Sequence, residues 1–111
     1  MVEGLRISQQ EDGQFCLTIM EPGGLGASYW QIFEENEISG GGYTWEGLVD
    51  SLVMLKMPNA NSTYETGAEA DNAYITSADR GVLERIAAMI EEAVSDDRLL
   101  LQAIENADDL E

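Results

Sequence analysis

The sequence contains no histidine and a single cysteine, Cys16. Histidine is the commonest general base and metal ligand near neutral pH, so its absence argues against Ser–His catalysis and most transition-metal sites. One cysteine can form neither an intrachain disulfide nor a thiolate zinc site. Arg6 is the only cation in the segment that carries Cys16, so we expect a core or half-buried side chain rather than a reactive thiol. The sequence therefore predicts no enzyme, no cofactor and no metal.

Basic residues are scarce: five lysines and arginines stand against 22 aspartates and glutamates, for a formal net charge of −17. Nucleic acids and anionic membranes are bound through Lys and Arg, so neither is an expected partner. A cationic protein is the partner that such a surface favours. The alternative is that the acidity serves only solubility.

No apolar run approaches the length of about 18 residues that a membrane span needs. Met1 to Gln10 has neither the basic start nor the apolar run of a signal peptide. A chain of 111 residues fits a single domain, 1–111, that buries its core without disulfides. Leu110-Glu111 is compatible with a remnant of cloning. We therefore expect a cytoplasmic protein of one domain, and a homodimer stays compatible with the sequence.

Three patterns that could carry chemistry are incomplete. The glycines at 40–42 precede a helix but lack the Gly-Lys-Ser/Thr ending of a phosphate-binding loop. Glu65, Glu69 and Asp71 lack the regular spacing and the terminal glutamate of a calcium loop. Pairs of carboxylates like those of glycosidases arise by chance when 22 acids occupy 111 positions.

The stretch from Gly40 to Pro58 organises the chain. Its glycines at 40–42 allow positive φ angles and close approach to other groups, and Thr44 is in position to cap a helix. Pro58 cannot continue a helix, so the helix is expected to end at about Met57. The apolar side of this helix carries Trp45, Leu48, Val49, Leu52, Val53 and Leu55, and Glu46, Asp50 and Ser51 are predicted to lie opposite.

Residues 40–48, Gly-Gly-Gly-Tyr-Thr-Trp-Glu-Gly-Leu, resemble a turn reading Gly-Asn-Gly-Tyr-Asp-Trp-Glu that leads into a helix with a leucine. This turn is typical of the bacterial immunity protein 51 family, and the order of elements between about Tyr29 and Asp109 is also similar to that family. Gly41 replaces the asparagine and Thr44 the aspartate, and both changes keep the local role. The resemblance implies an immunity protein that binds and neutralises a cognate toxin of a polymorphic or contact-dependent system.

Strand patterns flank this central stretch. Leu5–Ser8 and residues 14–20 alternate apolar and polar side chains on either side of a turn at Gly13, which predicts a hairpin. Ala27–Phe33 is rich in aromatic residues and predicts a third strand, covered on both faces. Residues 34–39 are predicted as an acidic loop, and residues 62–76 as a second hairpin.

Two further helices are predicted after the second hairpin. Ser77 is placed to cap a helix whose apolar positions recur between 82 and 94. The acidic pair at 96–97 can start a shorter helix, from which Leu101 points away. The order β-β-β-α-β-β-α-α predicts an α+β fold, with an antiparallel sheet of about five strands and two main helices packed largely on one face.

The predicted contact surface combines acids with apolar side chains. Trp45 is expected to anchor its helix to the sheet, whereas Tyr43 fits either packing or exposure at an interface, and Met54 falls among polar positions. The predicted partner-binding residues are Glu34, Glu35, Glu37, Tyr43, Glu46, Asp50 and Met54. The competing strip is C-terminal and consists of Glu91, Glu92, Asp96, Asp97, Glu105, Asp108 and Asp109, beside Arg98.

These patterns favour an immunity protein whose toxin is basic, and nucleases are the obvious class because their substrates are anionic. The alternative is an acidic adaptor, or a nucleic-acid mimic, that regulates a cellular protein. A toxin gene adjacent to the gene for this chain would favour the first function over the second.

Overall fold

The computed structural model describes residues 4–20, 29–38, 41–60 and 62–107. Within these ranges the fold is α+β, as predicted, with one four-stranded antiparallel sheet and four α-helices. The strands are β1 (Leu5–Gln9), β2 (Phe15–Ile19), β3 (Glu65–Ala68) and β4 (Ala73–Ser77). The α-helices are α1 (Tyr29–Glu35), α2 (Gly42–Lys56), α3 (Arg80–Ser95) and α4 (Asp97–Asn106), and a 3-10 turn (Pro58–Ala60) follows α2.

The sheet consists of two hairpins joined through their inner strands, in the order β1-β2-β4-β3. Leu17 in β2 lies opposite Ile7 in β1 and Ile75 in β4, so the apolar positions of the three strands share one face. Both predicted hairpins are confirmed. The second begins later than predicted, because its first strand covers Glu65–Ala68 and does not start at residue 62.

Helices α2 and α3 pack on the apolar face of the sheet, where Leu17, Ile19 and Ile75 are almost completely buried. Side chains at alternate positions point to the other face, and Arg6 is exposed there. Cys16 also lies on that second face and is 7% exposed, which confirms the expectation of a small, buried thiol.

The prediction of a third strand over Ala27–Phe33 is wrong. Tyr29–Glu35 is helix α1, and residues 27 and 28 lie outside the described ranges. The aromatic content favoured a strand, but Ile32 and Phe33 are buried on one face of the helix, and exposed Gln31, Glu34 and Glu35 lie on its other side. The described sheet accordingly has four strands and not five.

The two C-terminal helices begin at aspartate caps. Asp79 caps α3, since its carboxylate accepts a hydrogen bond from the Gly81 amide at 2.8 Å. The predicted cap, Ser77, is still a strand residue, and its hydroxyl accepts from the Asp79 amide instead. Asp96 caps α4, as the acidic pair at 96–97 predicted. Leu101 is exposed on α4, also as predicted.

The core contains the residues that the sequence assigned to it. Trp45, Leu48, Leu52, Ile86 and Ile90 are all buried in one cluster. Beside the two main helices, α2 and α3, the helices α1 and α4 also contribute buried side chains to that cluster. Helix α2 is thereby enclosed by the sheet and by the other helices, which leaves little of its surface free.

Candidate functional site

Helix α2 exposes a single narrow strip along its length. Three core residues, Trp45, Leu48 and Leu52, mark its buried side. The residues opposite recur every three or four positions and therefore share one face. We call them the α2 strip: Tyr43, Glu46, Gly47, Asp50 and Met54. Tyr43 and Met54 are 52% and 57% exposed, so four of the predicted partner-binding residues lie on one accessible surface with two apolar side chains among the acids.

The start of α2 is fixed by close contact between the glycine turn and the turn that joins β3 to β4. The Gly42 amide donates to the carbonyl oxygen of Ala70 at 2.9 Å. A Cβ atom at Gly42 would collide with the carbonyl oxygens of Glu69 and Asn72. The predicted close approach of the glycines is confirmed here, and it explains why residue 42 has no side chain. Gly40 lies outside the described ranges.

The predicted cap of α2 is wrong. Gly41 is the N-cap residue and offers no side-chain hydrogen bond, whereas Thr44 is a fully buried residue within the helix. Because residue 42 contacts the β3–β4 turn, the helix begins there, two residues before Thr44. The hydrogen bond from Gly42 to Ala70 satisfies one of the first-turn amides that have no partner within the helix.

Trp45 anchors α2, as the sequence indicated. It is 2% exposed, and its ring lies 5.7 Å from the ring of Phe33 in α1, at an angle of 56°. This tilted arrangement is a favourable one for two aromatic rings. The contact connects α1 to the first turns of α2, where Tyr43 points outward.

A hydrogen bond holds Asp50 at the middle of the α2 strip. The hydroxyl of Tyr64, just before β3, donates to the Asp50 carboxylate at 2.8 Å. The pKa of Tyr64 is raised well above its ordinary value, mainly because the side chain is partly buried. The hydrogen bond to Asp50 and the negative charge of that carboxylate raise it further. The phenol therefore remains protonated at neutral pH and keeps donating to the carboxylate.

The acids at the end of α1 lie on a turn with a special backbone conformation. The Ile38 amide donates to Phe33 and the Glu37 amide to Glu34, which is the hydrogen-bond pattern of a Schellman ending. Glu37 has φ 58°, a left-handed conformation that usually selects glycine or asparagine. An exposed glutamate is thus kept where the backbone favours a smaller residue.

The structure places Glu34 and Glu35 in the last turn of α1, and not in the acidic loop that the sequence predicted. Both are exposed, as is Glu37. The Phe33–Trp45 contact connects α1 to α2, but these three acids belong to a different element from the α2 strip. The seven predicted residues therefore form two groups: three on α1 and its turn, and four on α2.

Some acids of the competing C-terminal strip have structural roles. Glu92 pairs with Lys56 at 3.3 Å, and Asp96 caps α4. Asp97 and Glu105 are exposed, while residues 108 and 109 lie outside the described ranges. Among the described residues of the C-terminal strip, fewer carboxylates are therefore available to a partner than the sequence indicates.

Ser51 was predicted to lie opposite the core, and this was wrong. Its side chain is 6% exposed, and its hydroxyl donates to the carbonyl oxygen of Ala103 in α4 at 2.6 Å. A small hydroxyl residue allows α4 to approach α2, and the carbonyl satisfies its polarity. No sequence pattern connects Tyr64 with Asp50 either. Gly47 and Ser51 are two small residues four positions apart on α2. This spacing indicates a helix face on which another segment can approach closely.

In the part of the chain that the structure describes, no three acidic or cysteine side chains converge to hold a metal ion. No helix found there is long and apolar enough to cross a membrane. The exposed carboxylates, the phenol ring and the thioether of the α2 strip can form ion pairs and apolar contacts with another molecule.

Comparison with known proteins identifies a family. No curated protein and no solved structure is significantly similar to this chain. The family model described as Immunity protein 51 matches residues 5–109, a range that contains all four strands and all four α-helices of the described fold. That extent includes the glycine turn and α2, which carry the resemblance in sequence. The chain belongs to the Immunity protein 51 family.

Proposed function

We propose that this immunity protein binds a basic toxin domain, such as a nuclease, and blocks its action by occupying the toxin surface. Membership of the family implies a cognate toxin as partner. The observation that carries the choice of a basic toxin is the net charge of −17. A strongly acidic protein attracts a cationic partner over long distances and raises the association rate. Nucleases fit because their own surfaces must attract anionic substrates.

The proposed contact surface is the α2 strip together with the acids at the end of α1. The strip supports this choice because exposed Tyr43 and Met54 lie among Glu46 and Asp50. Protein interfaces combine such an apolar centre with a polar rim, and aromatic residues are frequent among the side chains that contribute most affinity. Glu34, Glu35 and Glu37 complete the proposed surface.

The strained conformation of Glu37 supports a role for its side chain. A non-glycine residue in the left-handed region costs about 1–2 kcal/mol relative to right-handed backbone. Glycine at this position would remove that cost. The contribution of the Glu37 carboxylate to partner binding would offset this cost.

The test of function is protection of cells. A toxin domain encoded beside the gene for this chain is expressed with and without it, and growth is measured. We expect growth to be restored by the chain and the two proteins to co-purify as a complex. A nuclease assay on the purified toxin then gives its activity class. Failure of the chain to protect cells from this toxin would overturn the proposal.

The test of the surface is charge reversal on each acidic strip, followed by association rates at low and high salt. Glu35→Lys with Asp50→Lys changes the proposed surface. Glu92→Lys with Glu105→Lys is the matched change on the competing strip, and it avoids the helix cap. We expect the first pair to slow association strongly and the second to slow it only slightly. The opposite ranking would show that the C-terminal strip is the interface.

A further inference from the structure

A groove runs between the α2 strip and the C-terminal end of α4. It has a volume of about 450 Å³, and Gly47, Asp50, Ser51, Met54, Asn106 and Ala107 are among the residues that line it. The hydrogen bond from Ser51 to Ala103 holds the two helices together beside it. The groove is therefore part of the folded architecture and adjoins the surface proposed for the toxin.

The charges around the groove favour a cation. Asp50 places a carboxylate on one wall, oriented by the Tyr64 hydroxyl. The opposite wall is the end of α4, where the last carbonyl groups of a helix carry partial negative charge. The Asn106 amide nitrogen donates to Gln102, which leaves its side-chain oxygen as a further acceptor. Among the described residues that line the groove, none is a lysine or an arginine.

The rest of the lining suits an aliphatic chain. Met54 and Leu55 supply apolar surface, and Met54 is flexible enough to adjust to an occupant. Gly47 is a glycine within a helix, where alanine would be more favourable by about 1 kcal/mol. It lines the groove with backbone atoms only. A long side chain with a cationic head matches both the apolar and the acidic parts of the lining.

We propose that the groove receives one arginine side chain of the toxin, with its stem along Met54 and Leu55 and its guanidinium at Asp50 and the end of α4. Arginine fits better than lysine because its planar head carries five donors for acceptors that lie on two walls. The identity of the partner as a protein rests on the proposed function. The groove chemistry rests only on the residues that line it.

A small probe tests the groove without the toxin. Nα-acetyl-argininamide is titrated into the full-length chain at low salt, and amide shifts are followed by NMR. The matched control probe is Nα-acetyl-citrullinamide, which has nearly the same shape and no charge. We expect saturable shifts at Gly47, Ser51 and Ala107 with the arginine probe and none with the citrulline probe. Equal shifts with both probes, or shifts spread evenly over all acidic surfaces, would overturn the proposal.

Two variants test the assigned residues. Asp50→Asn removes the carboxylate and should lower the affinity for the arginine probe by about tenfold. The matched loss of one charge elsewhere, Glu11→Gln in the β1–β2 turn, should leave binding unchanged. Gly47→Ala adds a methyl group to the lining and should abolish saturable binding, and a thermal melt checks that the variant is folded. Normal probe binding in Gly47→Ala, or equal losses in Asp50→Asn and Glu11→Gln, would also contradict the proposal.

The two proposals fail separately. If the arginine probe binds in the groove but the chain does not protect cells, the groove assignment stands and the toxin function falls. If the chain protects cells but the probe shows no preference for the groove, the groove assignment falls and the toxin function stands. If both hold, Gly47→Ala should also weaken the purified toxin complex by about tenfold or more.

Discussion

Replacement of Gly42 by alanine is the most direct test of how the glycine turn positions α2. The added methyl would overlap two backbone carbonyl oxygens in the β3–β4 turn, those of Glu69 and Asn72. Neither oxygen belongs to a flexible side chain, and the Asn72 carbonyl oxygen already accepts from the Glu69 amide at 2.8 Å. The hairpin turn or the start of α2 must therefore move, and the bond from Gly42 to Ala70 is strained or lost.

The expected cost follows from three effects. Overpacking of this kind costs about 1–3 kcal/mol. Loss of the hydrogen bond adds about 0.5–1.5 kcal/mol. The better helix propensity of alanine returns about 0.5–1 kcal/mol. We therefore expect Gly42→Ala to lower the free energy of unfolding by about 2 kcal/mol, which lowers Tm by about 8 °C in a domain of this size.

The assay is urea unfolding and thermal melting, both followed by circular dichroism. The matched control is Gly67→Ala in β3, where an added Cβ meets no atom within 4 Å. Gly67→Ala should change stability by no more than about 0.5 kcal/mol. If Gly42→Ala and Gly67→Ala have the same melting temperature, contact with the hairpin turn does not require a glycine at residue 42. The start of α2 is then fixed in some other way.

Three further predictions concern the core, the α1 turn and the tyrosine beside the α2 strip. Leu52→Ala should lower the free energy of unfolding by about 2–5 kcal/mol in urea, because Leu52 is fully buried; a melting temperature near that of wild type would contradict this burial. Glu37→Gly should stabilise the fold by about 1 kcal/mol by relieving the positive φ, and it should weaken toxin binding; destabilisation would show that the glutamate is not strained. Tyr64 favours its protonated form when folded, so its stabilising effect is complete below pH of about 10 and is lost as pH rises through its raised pKa. Urea unfolding at increasing alkaline pH should therefore show a smaller loss of stability in Tyr64→Phe than in wild type, and parallel curves would refute the assignment.

The sequence predicted those parts of the fold that depend on periodicity. The β1–β2 hairpin, α3 and the buried side of α2 are all read from apolar residues at strand or helix spacing. Helix α1 was missed because its seven residues are aromatic-rich, and that local preference is weak beside the burial of Ile32 and Phe33. Thr44 and Ser77 fit the pattern of caps, since each precedes an apolar run. Contact with the β3–β4 turn fixes where α2 begins, and Asp79 caps α3 because Ser77 still belongs to β4.

The site was predictable in part for the same reason. Tyr43, Glu46, Asp50 and Met54 share a helix face by spacing alone, so the sequence could place them together. The bond from Tyr64 to Asp50 and that from Ser51 to Ala103 join segments distant in sequence. Such pairs depend on tertiary packing, and no local pattern identifies both partners. The groove beside α4 exists only because of that packing.

The order of the strands has a consequence for how the chain reaches its folded state. Each hairpin can form from contacts between neighbours in sequence, which is fast, but β2 and β4 pair across a long intervening segment that includes α1, α2 and β3. Closing such a long loop is the slow, entropically costly part of folding. Helix α2 packs on β3 and β4, which follow it closely in sequence, so these contacts do not depend on that late step. The segment that carries the exposed strip can therefore assemble with the second hairpin early in folding, and the pairing of β2 with β4 then completes the sheet.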